Sequence, residues 1–383
     1  MVTHNRLLLA LIFFNALFIA NVSLATPPQG FENEGKKSIF DVLYGNEILN
    51  LTIKTDLNNL IENRRTEEFL EATFGYEDAS GRQITRSIEV QPRGKFRRRI
   101  CDFPPVKIKF SKDDLEASGL IKKFNDLKLV THCIDDKLIG NENLLKEYLV
   151  YRMYNELTPN SYRIQLVKIT YEDTKGNLSK IKRYGFLIED TDEMAARLGG
   201  EEFEQMNVST DSISAKDEAI MALFQYMIGN ADWSTVMLRN VKLVLPENSD
   251  KMIPVPYDFD FAGLINASYA VPQGDLGLTS IRDRLYLGNK TNPEAMRNTL
   301  GYFYAKKEIL LDMVKSFDML SNECRGDLIL YLETFYSTIK PVVIDPSIDI
   351  KAFWGLKNAN IEAFRAWEAS QKQGQISNGS GKK

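Results

Sequence analysis

Four residues carry the chemistry this sequence suggests: Asp232, Asn240, Asp258 and Asp260. The segment from Gly229 to Asn240 leaves a helical pattern and runs straight into the apolar stretch Val241 to Leu245. After a turn over 246–251, a second stretch from Met252 delivers Tyr257-Asp258-Phe259-Asp260-Phe261. A hairpin brings its two outer ends side by side, so Asn240 and Asp258 can share a hard divalent ion, Mg2+ or Mn2+, through oxygen. Asp232, on the loop before the hairpin, can then take the proton of an attacking hydroxyl. Asp260 lies two residues beyond Asp258 in an extended segment and points the same way, so it competes as the ligand or adds a second one. Any one of these residues alone would serve as an ordinary turn cap. Their order around one hairpin points instead to metal-assisted phosphoryl transfer from a nucleotide.

Phosphate also calls for a cation. In Val106-Lys107-Ile108-Lys109-Phe110, strict alternation puts the three apolar side chains on one strand face and both lysines on the other. Lys107 or Lys109 is therefore expected at the phosphates. Its acidic partner would come from the helix predicted over 141–157, either Glu147 or Glu156. The run Arg93-Gly94-Lys95-Phe96-Arg97-Arg98-Arg99 concentrates cations beside a glycine and suits phosphate oxygens or an acidic acceptor. The plainer reading is an exposed basic edge.

Strands are predicted at 48–53, at 71–76 with 84–90, at 106–110, at 126–131, and at 162–171 with 181–188. One helix, over 141–157, interrupts them. From 216 onward the pattern is helical, at 218–228, 293–317, 327–339 and 361–371, with the hairpin at 241–261 as the one exception. This order predicts an α+β, two-lobed protein-kinase-like fold. Its β-rich N-terminal lobe would span about 38–188, its hinge about 188–192, and its mainly helical C-terminal lobe about 193–371. A flexible tail would follow over 372–383.

Arg6, the apolar run Leu7 to Ala20, and Ser23-Leu24-Ala25 read as a signal peptide over 1–25, followed by a leader over 26–37. This predicts a secreted or periplasmic protein with no membrane span after cleavage. A net charge of −4 disfavours nucleic acid as a partner. Of three cysteines, Cys101 and Cys133 lie beside predicted strands and could pair in an oxidising compartment. With only two histidines in the chain, one of them in the signal peptide, a multi-histidine metal site is excluded, and His132 reads as a buried core residue.

Several of these motifs resemble the CotH kinase family, the spore-coat kinases and their secreted bacterial relatives. The matching pieces are Arg93-Gly94 with Arg97 before Phe103-Pro104, the strand Val106 to Phe110, Leu144-Leu145-Lys146-Glu147, Gly185 to Glu189, Gly229 to Asn240, and Tyr257 to Gly263. The resemblance implies Lys109 as the nucleotide lysine, Asp232 as the catalytic aspartate and Asp258 as the metal aspartate. It also implies ATP with Mg2+ or Mn2+, and protein Ser/Thr as acceptor; the sequence itself leaves the acceptor as an unknown protein or small molecule. No Gly-rich loop of the GxGxxG kind is present. The competing expectation is a catalytically inactive protein of the same fold, binding or adhering at the cell envelope.

Overall fold

The computed structural model describes residues 35–350, apart from 46, 79 and 291. The signal peptide expected over 1–25, most of the leader over 26–37, the helix expected over 361–371 and the tail from 372 lie outside the described residues.

The first half runs α1 (Ile39–Leu43), β1 (Leu49–Thr55), α2 (Leu57–Glu62), β2 (Leu70–Glu77), β3 (Gln83–Pro92), α3 (Arg97–Ile100) and β4 (Val106–Phe110). It continues with α4 (Lys112–Ala117), β5 (Asp126–Val130), α5 (Lys137–Leu157), β6 (Ile164–Asp173) and β7 (Ile181–Ile188). The second half runs α6 (Thr191–Arg197), β8 (Gly200–Phe203), α7 (Ala215–Ile228), β9 (Val241–Pro246), β10 (Ile253–Pro256), α8 (Pro293–Ala305), α9 (Lys307–Lys315) and α10 (Asn322–Ile344).

Strands β1 to β7 close into a barrel in the order β1-β2-β3-β4-β5-β7-β6. Closure is made by β1 and β6, which pair in parallel from Leu49 opposite Val167 to Thr55 opposite Asp173. Alternate residues Leu51, Ile53, Phe74, Ile108, Phe110, Val167 and Ile169 fill the interior, each no more than 2% exposed. Each such side chain contributes about 1.5–3 kcal/mol by leaving water. Closure also satisfies the backbone groups an open sheet would leave at its edges.

The two-lobed protein-kinase-like arrangement expected from element order is corrected here. The general α+β class holds, but the first half is a closed mixed barrel rather than a β-rich lobe of local hairpins. The second half carries its own three-stranded sheet, β10-β9-β8, in place of a lone hairpin. Both differences arise from long-range pairing. Alternation marks each strand, but it says nothing about β1 meeting β6 or β8 meeting β9. The helix expected over 293–317 also breaks at Lys306 into α8 and α9.

Three features position the site. Helix α5 shares a core with the outer side chains of β7, Tyr151 lying 5.4 Å from Phe186, which aims Glu147 inward. Helix α7 ends at Gly229 with φ 68°, and a Cβ there would stand 2.0 Å from the Tyr331 hydroxyl oxygen, so only glycine turns the chain into the loop that carries Asp232. Helix α3 is tied down by a disulfide between Cys101 and Cys133, reinforced by the Asp102 amide donating to the Cys133 carbonyl at 2.8 Å.

The disulfide closes a loop of sequence separation 32, so its removal in Cys101→Ser/Cys133→Ser should cost about 3–4 kcal/mol of unfolding free energy in urea denaturation. His132 is 1% exposed, with Nε2 unpartnered, and burial followed by the Arg183 charge holds its imidazole down to about 3. The unfolded chain takes up that proton near pH 6.5, the folded chain only near 3. Its neutral form therefore contributes fully above pH 6.5, and stability is lost as pH falls from there toward 3. Urea midpoints at pH 7, 5 and 4 should fall less steeply in His132→Gln than in the parent.

Candidate active site

Arg97 on α3 is buried, and three carboxylates surround its guanidinium. Its Nη2 lies 3.1 and 3.0 Å from the two Glu147 oxygens and 3.0 Å from Asp258 Oδ1, while its Nε donates to Asp260 Oδ2 at 2.8 Å. A buried guanidinium must be paired to be tolerated. Two of the acids, Glu147 and Asp260, are as enclosed as Arg97, with side-chain exposures of 4% and 5%. Asp258 is different: 38% of its side chain remains exposed.

With more acids than cations, this cluster holds its protons tightly. Burial pushes Glu147 up to about 8 against the pull of Arg97, with Asp260 and Asp258 adding repulsion. Burial likewise lifts Asp260 to about 6, opposed by Arg97 and assisted by Asp258. The surplus negative charge faces the one acid with an open side.

Asp258 and Asn240 both adopt left-handed backbone, at φ 60° and 53°. Asp and Asn tolerate this conformation better than most residues, and such strain gathers at functional sites. Asp258 is held there by its amide, which donates to the Tyr151 hydroxyl at 2.8 Å. Asn240 is held by the Tyr257 amide, which donates to its carbonyl at 3.0 Å.

Asn240 in turn fixes Asp232. Its Nδ2 donates to the Asp232 carbonyl at 2.7 Å and to Oδ2 at 3.0 Å. Asn230 Oδ1 accepts the Asp232 amide at 2.9 Å. On the other carboxylate oxygen, Oδ1, Arg239 Nε and Gln273 Nε2 each stand 3.3 Å away. Burial raises the Asp232 carboxyl, Arg239 opposes the rise, and the Asp258 charge adds to it, so the two aspartates lie within electrostatic reach. Asp232, Asn240, Asp258, Asp260 and Glu147 thus form one connected site, assembled from α5, the loop after α7 and the segment after β10.

The structure pairs both expected lysines with acids outside this cluster, although Lys107 stands directly opposite Lys128 across β4 and β5. Lys107 pairs with Asp126 at 2.6 Å, and Lys109 faces Glu89 at 3.5 Å and Phe69 at 5.0 Å, both on the outer barrel surface. Alternation placed them on a common face, and that face is the outside. Glu156 binds Lys306 at the surface. Arg93 lies near enough for its charge to act on Lys128, Tyr151 and Tyr257.

Sequence reasoning missed two residues at this site. Arg97 lies among the matching motifs without an assigned role, and the basic run gives no sign that it, rather than Arg98 or Arg99, would be buried among acids. Lys128, on β5, donates to Thr191 Oγ1 at 2.6 Å and lies over the rings of Tyr162 and Tyr257, at 5.2 and 5.8 Å. Burial, then the charges of Arg93 and Lys242, bring its ammonium down to about 7. Asp126 and Lys128 alternate around Leu127, the same cue that drew attention to Lys107 and Lys109.

Among the described residues, no group of three His, Cys, Asp or Glu stands ready to hold a metal. The Arg97 guanidinium sits between the acids that would otherwise converge. The donors that face outward are still of the right kind for a hard cation: an Asp258 oxygen outside the Arg97 pair, and the amide oxygen of Asn240.

No family model matches this chain, and no curated protein matches it. Among solved structures, one similar chain is the proinflammatory kinase CtkA of Helicobacter pylori, at 10% identity. The TM-score is 0.34, and the match covers 63% of this chain and 90% of that one. A likeness of that size supports no inference, so the CotH resemblance rests on the quoted motifs alone.

Truncating Arg97 would leave its carboxylates buried without a counter-charge. Arg97→Met should lose about 3–5 kcal/mol in chemical denaturation, whereas Lys109→Ala, at an exposed pair, should lose less than about 0.5 kcal/mol. A larger loss from Lys109→Ala would overturn the central place given to Arg97.

Proposed function

We propose that this chain transfers a phosphoryl group from ATP to a hydroxyl, with Asp232 as the proton acceptor and Asp258 and Asn240 holding Mg2+ or Mn2+. The observation that carries the reading is the arrangement of Asp232 and Asp258. The first is a partly buried carboxylate, raised by burial and fixed by Asn240, and the second is a more exposed carboxylate held in a left-handed turn. The metal, when bound, would neutralise phosphate charge and polarise the transferred group.

The chain's own groups account for the rest. Asn240 orients the Asp232 carboxylate, and Asp232 takes the acceptor hydroxyl proton as the acceptor oxygen bonds to phosphorus and the bond to the nucleoside diphosphate breaks. Lys128 and Arg93 stand on the barrel side of the same region as cations for nucleotide phosphate, a role the sequence alone assigned to Lys107 or Lys109. Arg97 keeps Asp258 in place and Asp260 enclosed. The signal-peptide pattern over 1–25 supports export of the working protein, with a protein Ser/Thr or a small molecule as acceptor.

One observation favours a second reading. The Arg97 network is satisfied without any metal, as it would be in an envelope protein that binds a ligand and transfers nothing.

Calorimetric titration with ATP and MnCl2 tests both readings. Saturable binding should weaken at least about tenfold in Asp258→Ala and persist in Asp232→Ala. Phosphate transfer to added hydroxyl acceptors should drop about 10²–10⁴-fold in Asp232→Ala. Binding without transfer in the parent protein would select the second reading, and no binding at millimolar nucleotide would remove the first.

A further inference from the structure

Helix α3 has two faces. Arg97 turns inward to the carboxylates, while Arg98 and Arg99 turn outward with Lys95 and Arg65 to line a concavity of about 450 Å³. No carboxylate belongs to that lining. Arg65, Lys95 and Arg99 are exposed and form no ion pair among the described residues. Arg98 is braced rather than free. Its Nη1 donates to the Arg65 and Thr66 carbonyls at 3.2 and 2.9 Å, and its Nη2 meets Glu67 Oε1 at 3.1 Å. Its Nε is buried with no hydrogen-bond partner. Glu67 is 81% exposed, so its charge is spent largely on water.

Like charges drawn into one hollow repel unless an anion joins them. Guanidinium forks fit the oxygens of phosphate, and a doubly charged phosphate answers several cations where a single carboxylate cannot. The net charge of −4 on the whole chain disfavours a long polyanion, while a single phosphate group sees mainly its local surroundings. The hollow also adjoins the proposed active site along the chain. Arg98 follows Arg97, and Lys95 precedes Phe96, which packs on Phe261 at 5.2 Å beside the Asp258 and Asp260 segment.

We propose that Arg65, Lys95, Arg98 and Arg99 form a phosphate-binding site, distinct from the carboxylate site, that holds a phosphate group of a ligand in this hollow. The group belongs either to the nucleotide or to an acceptor already phosphorylated elsewhere. Binding there does not depend on Asp232 acting as a base.

The test is calorimetry on the whole mature chain at about 50 mM salt, where surface charge is weakly screened, with sodium phosphate and then tripolyphosphate as probes. Arg65→Ser/Arg99→Ser alters two exposed side chains and leaves the braced Arg98 intact, with circular dichroism melts confirming the fold. Affinity for both probes should fall at least about tenfold in the double variant and remain in Asp258→Asn, which separates this site from the proposed metal site. A parallel titration with ATP and Mn2+ assigns the source. Loss in the double variant identifies the nucleotide's own phosphates, and retention identifies a second ligand. Absence of phosphate binding up to about 10 mM, or equal affinity in the double variant, would overturn the proposal.

Discussion

A guanidinium without water must have acids around it, and this requirement fixes the geometry at the centre of the molecule. Arg97 comes from the barrel half, Glu147 from α5, and Asp258 and Asp260 from the segment after β10. None of these elements can shift without leaving a charge unpaired in a medium that penalises it. The pairing is thus a device of register as much as of stability: it sets where Asp258 stands, and Asp258 in turn stands within electrostatic reach of Asp232.

The surroundings stiffen that centre from both sides. The disulfide and the bond from the Asp102 amide to Cys133 hold the end of α3, and Phe96 stacks edge-on against Phe261 where the acidic segment passes. On the other side, Tyr151 accepts from the Asp258 amide and packs its ring against Phe259 at 4.7 Å. The same tyrosine therefore fixes both backbone and core next to the half-open carboxylate. Glu147 and Asp260 stay closed around Arg97, and Asp258 is the member of the cluster that keeps an open side.

Much of this was legible in the sequence wherever the information is local. Alternation in Val106 to Phe110 located a strand and sorted its faces, and the hairpin over 241–256 was marked by its apolar runs and the turn between them. Asp232, Asn240 and Asp258 were visible because a hairpin's geometry brings its two ends together whatever the rest of the chain does. What remained hidden depends on distant partners. Three consecutive arginines carry no cue to which one is buried, since that is decided by Glu147, Asp258 and Asp260. Lys107 and Lys109 share a face, but only barrel closure determines that the face looks outward. The two-lobed expectation failed for the same reason: Leu49 pairs with Val167, a contact no local pattern announces.

That parallel pairing also bears on how the chain matures. Strands β1 to β5 are complete, in order of synthesis, before β6 exists, so the outer edge of β1 has no partner until α5 and β6 have emerged. Contacts of such sequence separation form slowly, because a long loop must close before they give anything back. An unpaired edge exposed meanwhile invites association with other chains. Lys54 at that edge and Lys168 on the strand that will cover it put charge where premature pairing would occur. Pairing of β6 with β1 is therefore the step that removes the last open edge of the barrel.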